Sequence, residues 1–436
     1  MDTQPEKIKA LGKESMALKN AADLDPLIEE LSGSKVVLLG EASHGTHEYY
    51  TWRSAISKRL IQEHGFNFIA VEGDWPDFYR VNRYVKHYED SDSSSVAVLK
   101  KFNRWPTWMW ANWEMEALID WLHRHNETLP ANNRVGTYGL DVYSLWESME
   151  AIVDYLKSHD PSLMPAAKRA LGCFEPFGDE KGMAYAQSLQ RYMPKTCENE
   201  VVQLLKEIKQ HADNYNTDLE ASLNIEQNAH IAKNAEKYYR AMVHLNQSSW
   251  NLRDLHMMDT LKRLLNFHGA GAKAIVWEHN THVGDARATD MALEGSINVG
   301  QLVREQLADL EPKIVGFGSY RGSVVAGAEW GAPMRQMRVP EAMPGSWDHL
   351  MHRTGKGDQL LFMDRIKDNP LFQSPIRQRA IGVVYHPQHE RMGNYVPSVM
   401  PERYDAFIHI DRSEGVHAMK VYPDRTQLPE TYPWVY

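Results

Sequence analysis

Short, uninterrupted apolar runs rich in β-branched residues recur along this chain, each set off from the next by a stretch of helical spacing. The runs occupy 35–39, 67–71, 134–140, 273–277, 313–317, 379–384 and 406–410. Helical patterns lie at 46–64, 113–125, 250–267 and 299–308, and one or two amphipathic helices are expected within 5–31. A continuous apolar run, unlike an alternating one, predicts a strand buried on both faces. Strands separated by helices build βαβ units. The expected class is therefore α/β, with a mostly parallel central sheet flanked by helices.

Residues 145–245 break the rhythm. They hold no convincing strand and carry helical patterns at 146–157, 184–192 and 198–244, with Pro-Gly breaks at 161–178 expected as loops. This predicts a catalytic core from 1–144 and 246–436, interrupted by a helical insertion at 145–245 placed to act as a lid or substrate wall. The serine-rich patch at 90–95 is expected to be an exposed loop.

The 436 residues carry a net charge of −10. Phosphate attraction needs a surplus of Lys and Arg, so neither nucleic acid nor an anionic membrane is the expected partner. Cys173 and Cys197 are the two cysteines. So few exclude a disulfide scaffold, and a reducing compartment with free thiols is the expectation, a single bridge between the two staying open. The N-terminus lacks the basic start and apolar run of a signal peptide, and the chain is expected to be cytoplasmic.

Polar residues collect just after the runs. Gly40-Glu41-Ala42-Ser43-His44-Gly45-Thr46 follows the first, Glu72-Gly73-Asp74 the second and Asp141 the third. Glu278-His279-Asn280-Thr281-His282 follows the fourth. Open parallel sheets bind ligands beyond the carboxyl ends of their strands, so these groups are expected to converge. Gly40 and Gly45 would permit tight turning, with Thr46 as helix N-cap. His44 near a helix start should be neutral, as a general base must be. Glu41 could fix its tautomer. His47 is expected to face solvent.

No Gly-x-Ser-x-Gly elbow, Walker loop or His-Glu-x-x-His pair is present. Gly316–Gly322 is read as a loop after a strand. An activated water fits best: His44 takes its proton, Arg53 and His282 supply donors for a developing oxyanion, and Glu72 orients Arg53 or a histidine. A metal-dependent hydrolase using His44, His279, His282, Glu41, Glu72 and Asp74 stays open, as does a binding protein without turnover.

The blocks Gly40–Thr46 with Glu48, Arg53, Glu72 and Trp277-x-His279-Asn280-x-His282 resemble the erythromycin esterase family, as does Gly382-Val383-Val384-Tyr385-x-Pro387-x-x-Glu390. The resemblance spans roughly 25–410. It implies an α/β core with a helical insertion, and hydrolysis of an ester or macrolide lactone without a required metal or other cofactor. It implies His44 as general base beside Glu41, Arg53, Glu72 and His282. His279 and Arg253 match positions associated with the cleft, and Asp74 is a further candidate for substrate contact.

Overall fold

The computed structural model describes residues 3–174, 196–215, 218–242 and 248–421. Among them, eleven strands occur: β1 (Met16–Ala17), β2 (Val36–Leu39), β3 (Phe68–Asp74), β4 (Gly136–Asp141), β5 (Ala274–Trp277), β6 (Lys313–Ala326), β7 (Arg335–Val339), β8 (Gln359–Phe362), β9 (Ile376–Arg379), β10 (Tyr395–Ser398) and β11 (Ala406–Ser413). The main sheet runs β1-β8-β11-β6-β2-β5-β3-β4, with β7 alongside β6. From β11 to β4 every neighbouring pair is parallel. β8, β1 and β7 add antiparallel partners at one side.

The continuous apolar runs are buried on both faces, as a covered parallel sheet requires. Val37, Leu39, Ile69, Val71, Ile275 and Trp277 enter one core. Val36, Leu38, Phe68, Ala70, Ala274 and Val276 enter the other. Successive side chains of a strand point to opposite faces, so each short run feeds both cores at once.

Six of the seven apolar runs become the parallel strands. The run at 379–384 does not. Its first residue ends β9, which pairs with β10 in a separate two-stranded sheet, and Ile381 and Val384 make only isolated bridges. The stretch Gly316–Gly322 is no loop: β6 continues through it to Ala326, paired with β11 and then β7.

Between Leu145 and Met242 the described residues hold no strand. Helices Leu145–His159, Met164–Phe174, Glu198–His211 and Ala221–Met242 pack around a core of their own that includes Met149, Ile152, Leu204, Ile208 and Tyr239. A 3-10 turn at Pro161–Leu163 leads directly into the second helix, where a loop was expected. The pattern at 198–244 divides in two near Tyr215, and that at 184–192 lies outside the described residues. Glu220 docks this unit on the α/β core: buried, it binds Lys86 Nζ at 2.8 Å and Asn82 at 2.6 Å at the end of the helix Trp75–Val85, and the Tyr138 hydroxyl of β4.

The two cysteines are not free. Cys173 and Cys197 form a disulfide with Cα atoms 5.8 Å apart, against the expectation of reduced thiols. Their separation of 24 residues brings the end of one helix to the start of another, which spacing alone did not reveal. The patch at 90–95 is only partly exposed, because Ser94 caps the helix Ser95–Leu99. No described helix is long and apolar enough to cross a membrane.

Candidate active site

Strands β2, β5, β3 and β4 are neighbours, so the segments leaving their carboxyl ends meet. The turn after β2 must pass very close to two other segments of the chain. A Cβ on Gly40 would lie 2.1 Å from Asn280 Oδ1, and one on Gly45 1.9 Å from the Val325 carbonyl oxygen. Close approach, not a left-handed backbone, is what these glycines permit. Thr46 stands at the N-cap of the helix His47–His64, but its hydroxyl engages Ser43 instead of a backbone amide.

At the end of that turn, His44 Nδ1 lies 2.8 Å from Glu41 Oε1. Glu41 Oε2 accepts from Arg53 Nη2 at 2.5 Å. Arg53 is fully buried between the rings of Tyr50 and Trp277, 4.8 and 4.6 Å from their centroids. It was expected to reach the cleft. It instead stands behind Glu41, one turn along the helix from Tyr49, whose carbonyl it also binds. In the line Arg53–Glu41–His44, the contact with Glu41 sets the proton of a neutral His44 on Nδ1, which leaves His44 Nε2 without a partner among the described residues.

The cation facing the cleft is Arg253, on the helix Ser248–His268. Its Nε and Nη2 bind Asp141 at 2.9 and 2.6 Å, a forked pairing, and Nη2 also binds Glu72 at 2.7 Å. Glu72 therefore holds Arg253, not Arg53, while its other oxygen accepts the His279 amide at 2.8 Å.

Both ring nitrogens of His282 are engaged. Nδ1 lies 3.0 Å from Asp254 Oδ1 and Nε2 3.0 Å from Arg253 Nη1, with the ring stacked on Trp250 at 4.5 Å. No free donor remains on His282 for an oxyanion, contrary to expectation. His279 is different. Its Nδ1 accepts from the Thr281 amide at 3.3 Å and lies 2.8 Å from the Thr281 hydroxyl, which can also donate to it, so a neutral ring that accepts at Nδ1 carries its proton on Nε2. That nitrogen is buried without a hydrogen-bond partner among the described residues, and the ring lies 5.0 Å from that of His44.

Asp74 points away, to Arg104 Nε at 2.7 Å, and Arg104 also binds Glu147 at 2.6 Å. It belongs to an adjoining acidic cluster instead of the cleft around His44. Burial pushes Asp74 up to about 6 despite Arg104.

The charges decide protonation. Burial disfavours the imidazolium of His44, but the Glu72 and Glu41 carboxylates more than offset it, so the pKa rises above the ordinary 6.5. A helix start alone would have predicted the opposite. Burial drives His279 well below the ordinary range, and the neighbouring His44 adds to this, so His279 is neutral. Burial also opposes ionisation of Glu72, yet His282, Arg253 and His44 hold it well below the usual carboxylate range. Asp141, Asp254 and Trp250 complete the cluster. Asp141 is legible as a strand end, whereas Trp250 and Asp254 lie on the helix Ser248–His268, where no strand-end signal marks them.

A family model described as Erythromycin esterase matches residues 61–413. The chain is 21% identical over 387 residues to erythromycin esterase type II of Escherichia coli, covering 80% of this chain and 85% of that protein. Among solved structures, a succinoglycan biosynthesis protein superposes with a TM-score of 0.76 at 19% identity, covering 96% of this chain and all of that one. A mutant of erythromycin esterase EreC in its open conformation gives a TM-score of 0.67 at 13% identity, with 93% and 96% covered. At these identities the structural likenesses concern the fold.

Proposed function

The chain belongs to the erythromycin esterase family, and from that premise we propose that it is a hydrolase cleaving a small-molecule ester or lactone with a water activated by His44. Ester hydrolysis needs a base for the water and preorganised donors for the oxyanion. His44 is the base, using the Nε2 lone pair that Glu41 leaves free by holding Nδ1–H. Arg53 is a positioning residue that acts through Glu41. The Nε2–H of His279 donates to the carbonyl oxygen, and the charge of Arg253 favours the negative transition state. Asp254 and His282 position Arg253, with Glu72 and Asp141 on its other side.

The observation that carries this reading is the Arg53–Glu41–His44 relay. The family match begins at residue 61, after all three, so beside the motif resemblance their roles are argued from geometry. A macrolide lactone is one substrate this reading admits, and the helices of Leu145–Met242 would form the wall that selects it.

The test is turnover of a panel of simple esters and macrolide lactones by the full chain and by His44→Ala. Loss of a general base lowers kcat/KM by about 10²- to 10⁴-fold. Turnover unchanged in His44→Ala would remove His44 from the chemistry.

A further inference from the structure

A second group of histidines lies away from the cleft. His47 opens the helix His47–His64, Glu114 lies in the first turn of the helix Trp113–Asn126, and His417 lies in the segment after β11. Glu114 Oε1 is 2.6 Å from His47 Nδ1 and 2.7 Å from His417 Nδ1. One donor atom from each residue falls within 4.8 Å of the other two.

We propose that His47, Glu114 and His417 form a binding site for a divalent transition-metal ion of the Zn²⁺ class, with water in the fourth position. Two imidazoles and one carboxylate are a borderline-soft set that suits Zn²⁺ better than Ca²⁺ or Mg²⁺, which favour oxygen. Ligand bonds of about 2.0–2.2 Å set tetrahedral ligand atoms about 3.3 Å apart, so each His–Glu separation opens by about 0.6–0.7 Å to admit an ion. Each imidazole then carries its proton on Nε2 and presents the Nδ1 lone pair, while Glu114 stays a carboxylate.

The ligands are held before any ion arrives. The His47 amide binds the Glu414 carbonyl at 2.9 Å, and the Trp113 amide binds that of His417 at 3.0 Å. Glu114 accepts the His417 amide, and its side chain is only 4% exposed. On the open side, the His417 side chain is 60% exposed, which leaves an entry path and room for water. Glu48 and Glu414 add negative charge beside His47. Lys58 borders the same surface hollow but lies about three helical turns from His47. The ion would clip together two helix starts and the segment after the last strand. None of these atoms serves hydrolysis at His44, so this site stands or falls separately from the proposed chemistry.

Untagged full chain, equilibrated with Zn²⁺ and desalted, is assayed for bound metal and titrated calorimetrically beside His417→Ala, His47→Gln and His44→Ala. The wild type and His44→Ala should each bind one equivalent. In His417→Ala and His47→Gln affinity should fall by more than about tenfold. Zn²⁺ should raise the thermal midpoint of the wild type and not that of His417→Ala, whose exposed side chain leaves the metal-free fold intact. Absence of binding by the wild type, equal binding by His417→Ala, or loss of the ion in His44→Ala would each overturn the site.

Discussion

Glu278 is the most unusual single residue near the cleft. It follows β5 directly, is buried, and among the described residues neither carboxyl oxygen has a hydrogen-bond partner. Burial, reinforced by Asp254 and Glu72, pushes its pKa well above the ordinary carboxylate value. Its folded pKa exceeds its unfolded one. The stability it contributes is present below the unfolded value and is lost as pH rises toward the folded one. Glu278→Gln removes that dependence. Its stability advantage over the wild type in denaturant titrations should widen with rising pH, by at most about 1.4 kcal/mol per unit. A gap that stays constant from acidic to neutral pH contradicts a raised pKa at Glu278. Residues such as this mark where sequence analysis stops. Glu41 and His44 are three apart and their pairing could be foreseen. The partner of Glu72 could not, because Arg253 is 181 residues away on a helix whose facing depends on tertiary packing.

At the level of elements, the parallel strands were legible and the antiparallel ones were not, even β8, whose Leu360 and Leu361 enter the two cores. Burial on both faces writes a continuous apolar run into β2 or β5. The edge strand β7 is mostly exposed, and its Arg335–Val339 sequence carries no such run. β1 is two residues long. The run at 379–384 misled because apolar residues can be buried beneath loops as well as within a sheet; Ile381 is 2% exposed yet lies outside both sheets. The turn after β2 was legible in its glycines, though for a different reason than turning. This can be measured. Gly45→Ala forces a methyl against the Val325 backbone and should cost about 1–3 kcal/mol in thermal or denaturant unfolding. Gly382→Ala, with open space around its Cβ, should be near neutral. Equal effects at the two positions would show that the turn relaxes freely and that close approach does not fix it.

Across the whole molecule, parallel order brings four strand ends together, and the charges gathered there set how His44 titrates. In the proposed hydrolysis a neutral His44 is the working base, and carboxylates from two different strand ends, Glu72 and Glu41, raise its pKa above 6.5. Sequence position alone pointed the other way, since the field at His44 depends on chain segments that only folding assembles. The pH dependence of kcat/KM for a neutral ester reports that field in the free enzyme. The rate should rise with pH through a midpoint above 6.5, and Glu72→Gln should move that midpoint downward. A profile flat through the neutral range, or a midpoint that Glu72→Gln leaves in place, would contradict His44 as the base of a cleft assembled from these strand ends.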